Sequence, residues 1–208
     1  MRMDQVVSKT TITKRTRSSG PKDAEATRGR IFDAARIRFC QASYEAVGVR
    51  EIAGDAGVDP ALVVRYFGSK EKLFREVAAN AFAAVDVLQG DPAFLEERIL
   101  HHLLDKDHKD WHQGYDPFRL LLCSISSEIA GPIIAEAFHR SFVEGLTRSL
   151  QGRLKKARAV LIASYILGVA LLRVTEPPTT FEGDGGKFIR KQLGAALNDC
   201  FVPEREDD

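Results

Sequence analysis

Residues 31–74 read IFDAARIRFCQASYEAVGVREIAGDAGVDPALVVRYFGSKEKLF, and the punctuation of this stretch decides the fold. Ile31, Ala34, Ala35 and Phe39 recur at spacings of three and four, with polar Asp33, Arg36 and Arg38 between them. That is the period of an amphipathic helix running on from Arg28. Val49, Ile52, Ala53 and Ala56 share one face of a second, short helix. Gly57 ends it by supplying the left-handed conformation that a stopping helix uses. Asp59 and Pro60 then start a third helix, an acidic N-cap followed by proline at the first helical position, where its missing N–H is no loss. That helix, Pro60 to Phe67, closes at Gly68. Ser69 caps the next, whose apolar face is Leu73, Phe74, Val77, Ala81 and Phe82. The β-branched patches at 47–49 and 62–64 are too short for strands and sit between helix caps.

Two short helices joined by the tight turn Gly57-Val58-Asp59, behind a third helix, have the form of a helix-turn-helix, which presents its second helix to a DNA major groove. Ile52, Ala53, Val58, Val63 and Phe67 are expected in the small core, leaving Pro60, Ala61, Val64, Arg65 and Tyr66 exposed. Arg65 suits guanine or phosphate, Tyr66 a phosphate or a thymine methyl, and Lys70 the DNA backbone. Taken singly, Arg50, Arg65 and Lys70 read equally well as solvated charges and Tyr66 as a core residue. The combination of caps, turn, core and basic face favours DNA. Charge agrees, because the formal net charge of +1 hides a split: residues 1–80 carry 15 Lys+Arg against 10 Asp+Glu, residues 81–208 carry 15 against 19. Residues 1–27 scatter Lys9, Lys14, Arg15, Arg17 and Lys22 among Ser, Thr and Gly, a flexible basic arm that either follows DNA phosphates or serves as a solubilising tail.

The quoted stretch resembles the DNA-binding domain of TetR family transcriptional regulators. The matching elements are Ala34-Ala35 and Phe39, Ile52-Ala53, Gly57-Val58, Tyr66-Phe67 and Ser69-Lys70-Glu71-Lys72-Leu73. The resemblance implies that Arg50, Pro60, Ala61, Val64, Arg65, Tyr66 and Lys70 face a double-stranded DNA operator. It also implies a dimeric, usually repressing, regulator with a ligand-responsive C-terminal domain. Departures stand at Ser43, where the family usually has Gly, at Gly48, where Thr or Ser caps the second helix, and at Val64, where Tyr is common. Gly48 still caps, at a loss of about a few tenths of a kcal/mol. Val64 removes a phosphate contact and leaves an apolar group that can touch a thymine methyl.

The rest of the 208 residues is read more coarsely. A hydrophobic share of 44% and a charged share of 28% are ordinary for a globular chain with one domain or two small ones. Cys40, Cys123 and Cys200 form no paired motif, so neither a zinc ribbon nor a disulfide framework is indicated, and a reducing cytoplasm fits. The most apolar run, 159–172, is 14 residues between Arg158 and Arg173, short of the roughly 20 that cross a bilayer, so no membrane partner is expected. Helices are expected at 92–104, 117–127, 132–150, 154–174 and 187–201, giving an all-α chain with an arm (1–27), a DNA-binding head (28–77) and a ligand-binding and dimerisation domain (78–208).

Helix 154–174 is apolar almost all round, with Ser164 and Gly168 one turn apart and Leu171 beyond them. A second copy of the chain is the natural cover for the side its own domain leaves open, burial within one subunit being the alternative. Trp111, Phe118, Leu122, Cys123, Ser126, Phe138 and Phe142 are candidates to line a pocket for an unidentified apolar small molecule, the alternative being a solid core. His101, His102, His108 and His112, with Asp105 and Asp107 nearby, have partial metal-ligand spacing, but the segment is broken by Asp, Lys and Gly and reads better as a loop, so no metal is assigned. Nothing resembles a hydrolase elbow or a phosphate-cradling loop, and no cofactor or catalysis is expected. A cofactor-free all-α small-molecule-binding protein or enzyme remains the second reading; it leaves the basic first domain without a purpose.

Overall fold

The computed structural model describes residues 21–82, 91–105 and 115–201. The first four helices are α1 (Pro21–Gln41), α2 (Val49–Ala56), α3 (Pro60–Phe67) and α4 (Lys70–Ala81). A 3-10 turn at Pro92–Phe94 leads into α5 (Leu95–Leu104), followed by α6 (Pro117–Ser124) and α7 (Ala130–Phe138). A π-helical turn at His139–Val143 joins α7 to α8 (Glu144–Ser149). Then come α9 (Lys155–Thr175), a 3-10 turn at Pro178–Phe181 and α10 (Gly183–Phe201). Among the described residues there is no strand, and no helix is long and apolar enough to cross a membrane.

The expected boundaries move in four places. Helix α1 begins at Pro21 rather than Arg28, so the last seven residues expected in the arm are helical, while 1–20 lie outside the described residues. Asp23 complements the positive end of the helix, and the Thr27 hydroxyl donates to the Asp23 carbonyl at 2.7 Å. Helix 117–127 stops at Ser124 and gives way to a turn, in which the Ser127 hydroxyl accepts from the Ala130 N–H at 3.0 Å. The single helix expected at 132–150 starts at Ala130 and is interrupted: its buried positions step from Ala137 to Phe142, five residues rather than three or four, across the π turn. Helix 187–201 starts at Gly183, taking in residues expected in a loop.

Two aromatic clusters organise the packing. In the head, Phe74 of α4 meets Phe39 of α1 edge-on at 5.0 Å and Tyr44 at 5.3 Å. In the C-terminal domain, Phe82 at the end of α4 meets Phe138 at 5.1 Å, and Phe118 and Phe138 each pack on Phe142, at 5.5 and 5.3 Å. Surface charges lock the head further. Arg38 on α1 pairs with Asp55 on α2, and Arg28 pairs with Glu76 while lying 4.6 Å from the Phe67 ring centroid.

At the far end of the chain, buried Arg158 has carbonyls in place of a carboxylate partner. Its guanidinium donates to Cys200 O at 2.7 Å and Phe201 O at 2.8 Å, at the negative end of α10, and to Gln151 O at 2.6 Å and Arg153 O at 3.1 Å ahead of α9. One side chain thus ties the last two long helices together. Replacing it leaves four carbonyls without a donor, so Arg158→Ala is expected to destabilise the fold by roughly 3 kcal/mol, measured as a lowered urea midpoint.

Candidate nucleic-acid interface

The turn between α2 and α3 is built from local chemistry. Gly57 sits at φ 63°, in the left-handed region where a side chain would be strained, and the Val58 N–H donates to Ala53 O at 2.9 Å. The Asp59 carboxylate accepts from the Ala61 N–H at 2.8 Å, with Pro60 at the first helical position. At the start of α2, where Gly48 has no side chain to offer, Glu51 reaches back and accepts from the Gly48 N–H at 2.8 Å. Half of a capping box therefore survives without the hydroxyl residue.

Burial divides the two helices as the sequence pattern predicts. Ile52, Ala53, Val63 and Phe67 are buried and Val58 is half-buried. Pro60, Ala61, Val64 and Arg65 are exposed on one face of α3, with Val64 52% exposed, and Arg50 is exposed in the first turn of α2. Arg50 and Arg65 have no salt-bridge partner among the described residues. Tyr66 is half-buried and packs against the core.

Lys70 is turned inward. Its ammonium donates to Tyr44 O at 2.8 Å and Val47 O at 3.0 Å, and lies 4.2 Å from the Tyr44 ring centroid. Burial lowers its pKa from the usual lysine value, opposed by the nearby Glu45 charge. Two of three donors thus hold the α1–α2 loop. The exposed cation on this turn is Lys72, which the sequence reading quoted but did not select. The signal was present: Lys70 shares the i, i+3, i+4, i+7 face of Leu73, Phe74 and Val77, all buried, whereas Lys72 does not.

The C-terminal candidates separate. Phe118, Phe138 and Phe142 come together around Phe82. Leu122 is half-buried and Ser126 is exposed on the α6–α7 turn. Cys123 faces α1, its thiol donating to Cys40 O at 3.4 Å, and so does not join the ring cluster through that contact. Burial pushes the Cys40 thiol up to about 12. Trp111, His108 and His112 lie outside the described residues. Ser164, Gly168 and Leu171 are exposed along one side of α9. The inward lysine and the outward arginine should behave oppositely: Lys70→Ala is expected to lose about 2 kcal/mol of stability, while Arg65→Ala stays within about 0.5 kcal/mol of wild type. Thermal unfolding of the two variants checks this, and a wild-type melting curve for Lys70→Ala would remove the clamp.

Comparison with known proteins agrees with this geometry. Residues 31–77 match the model described as bacterial regulatory proteins, tetR family, and residues 95–197 match the tetracyclin repressor-like C-terminal domain. No curated protein sequence matches the chain. Among solved structures, a TetR-family regulator from Streptomyces coelicolor A3 is similar at 22% identity and TM-score 0.51, covering 89% of this chain and 98% of its own. NalD, the secondary repressor of the MexAB-OprM multidrug efflux pump in Pseudomonas aeruginosa, is similar at 20% identity and TM-score 0.60, covering 88% and 100%. MexZ, a key repressor responsible for antibiotic resistance in Pseudomonas aeruginosa, is similar at 17% identity and TM-score 0.60, covering 86% and 96%. These likenesses are of fold. With both the helix-turn-helix head and the C-terminal domain matched by family models, the chain belongs to the TetR family of DNA-binding transcriptional regulators.

Proposed function

We propose that this regulator binds a palindromic operator as a homodimer, represses transcription while bound, and is released by a small, mostly apolar ligand. The observation that carries the DNA reading is the outward face of α3. There Pro60, Ala61 and Val64 offer a smooth apolar surface and Arg65 a fork of donors without a carboxylate to occupy it. Arg50 and Lys72 flank it as backbone contacts, and Lys70 contributes through the loop it holds, with one ammonium donor left for a phosphate.

Dimerisation is supported by α9. Ala157, Val160, Leu161, Ser164, Gly168, Leu171 and Leu172 are exposed at spacings of one, three and four, a continuous stripe on one side of a 21-residue helix. Val160, Leu161, Leu171 and Leu172 are each 45–49% exposed, too much apolar surface in a row for a helix left in water. A two-fold axis along this stripe presents two identical heads, which read inverted half-sites about 34 Å apart. Repression is the role stated for NalD and MexZ, whose architecture this chain shares. An apolar ligand follows from the family resemblance, the rings of Phe82, Phe118, Phe138 and Phe142 being the apolar chemistry it would meet in this domain, and it acts only by preferring the arrangement of heads that does not fit DNA.

In gel shifts on an operator selected from genomic DNA, Arg65→Ala is expected to weaken binding by roughly 1–3 kcal/mol if the fork reads a base edge. Wild-type affinity in the Arg50, Arg65, Tyr66 triple alanine variant would defeat the interface. For the dimer, Gly168 is the test position, because a Cβ built there meets no atom within 4 Å. Gly168→Arg therefore fits the subunit and is expected to leave a 23 kDa monomer by light scattering where wild type is twice that. A dimeric variant would place the two-fold axis elsewhere.

A further inference from the structure

The loop between α1 and α2 is gripped from two sides. From the head, the Lys70 ammonium holds the carbonyls of Tyr44 and Val47. From the C-terminal domain, the Ser127 hydroxyl in the α6–α7 turn donates to the Glu45 carboxylate. Ser127 is itself firmly placed. It is buried, its Oγ accepts from the Ala130 N–H at 3.0 Å, and its carbonyl accepts from the Gly131 N–H at 2.9 Å. The turn has no slack either, since a Cβ at Gly131 would stand 2.6 Å from Ile125 O. The bond from Ser127 is the main cause holding the Glu45 carboxyl below its usual range, so the acceptor is charged.

Among the described residues, three further side-chain contacts between α1 and the C-terminal domain lie along α1. Arg36 stands 4.8 Å from the Tyr115 ring centroid, the Cys40 thiol donates to Asp116 O at 3.3 Å, and the Cys123 thiol donates to Cys40 O. Contacts in a row on one helix resist sliding and separation but resist rolling about that row poorly. Glu45 lies past the end of α1, off the row, and a charge-assisted bond there opposes the roll. Any roll of the head tilts α3 and changes the distance between the two recognition helices of a dimer.

We infer that the Glu45–Ser127 bond is a positioning pair that fixes the roll of the DNA-binding head and thereby selects the spacing between operator half-sites. This rests on the dimeric operator reading above. Glu45 and Ser127 touch no base in this account; they act through the angle of α3.

The test uses the full-length protein and double-stranded DNA. Wild type first selects an operator from a random library, and binding is then measured on inverted half-sites whose spacer is changed by single base pairs. Wild type is expected to prefer one spacer by about tenfold over its neighbours, a coupling of ordinary size between linked sites. Glu45→Ala, at an exposed position, is expected to flatten that preference while keeping the same base preference within each half-site. Glu45→Gln, which removes the same charge but retains an oxygen to accept from Ser127, is expected to restore the wild-type spacer profile. A wild-type profile for Glu45→Ala, or an equally flattened profile for Glu45→Gln, would overturn the inference. Failure of wild type to select any inverted repeat would instead overturn the dimeric operator reading, and the inference with it.

Discussion

Everything in this molecule hangs on α4 being shared by two aromatic clusters. Phe74 sits among Phe39 and Tyr44 in the head, and Phe82, eight residues on, sits among Phe118, Phe138 and Phe142. At 1.5 Å per residue the two rings are separated by about 12 Å along the chain, a rigid span of about two turns. Both ends are fully buried. The head therefore cannot translate without disturbing close-packed rings, and close-packed interiors do not deform continuously. The polar bond between Glu45 and Ser127 adds a contact away from that packing.

That division explains why the head was legible in the sequence and where it was not. Asp59, Pro60, Gly57 and Ser69 are local signals, each acting within three residues, so the boundaries of α2, α3 and the start of α4 follow from the chain alone. Val64 and Arg65 are exposed, as their register predicts, because α3 is short and its buried face is set by Val63 and Phe67. The inward contacts of Lys70 follow from register and not from residue type. A lysine at a helix start suggests a phosphate, but this one stands above Leu73 and Phe74, and its stem is carried inward to carbonyls of a loop 23 and 26 residues earlier. Glu51, three residues past Gly48, is legible as the surviving half of a capping box, since it accepts from the Gly48 N–H and leaves the hydroxyl's half unmade.

In the C-terminal domain the informative contacts are distant in sequence, and local pattern carries less. The step at the π turn arises because Ala137 and Phe142 must face the same core, a tertiary demand that no three-or-four period announces. Ser127 carries no local signal of its partner, because the carboxylate it donates to, Glu45, is 82 residues away. Cys123 was grouped with the rings as a small polar lining residue, yet it faces α1. The α9 stripe was readable because exposed apolar residues at helical spacing on a long helix need a cover, whatever the rest of the fold does.

These features limit how a ligand can act. On the proposed reading, an apolar ligand beside Phe118, Phe138 and Phe142 touches the cluster that holds Phe82, at the C-terminal end of α4, while α7, which carries Phe138, follows directly on the turn that holds Ser127. One displacement of α7 would therefore reach the head by two routes, through α4 and through Glu45. Routes that agree add their free energies, and a few kcal/mol of preference between two arrangements suffices to empty most of an operator. Routes that disagree leave the ligand bound and the DNA occupied. Whether a compound releases DNA is thus decided less by how tightly it fills the ring cluster than by whether it moves α7 and the end of α4 in the same sense.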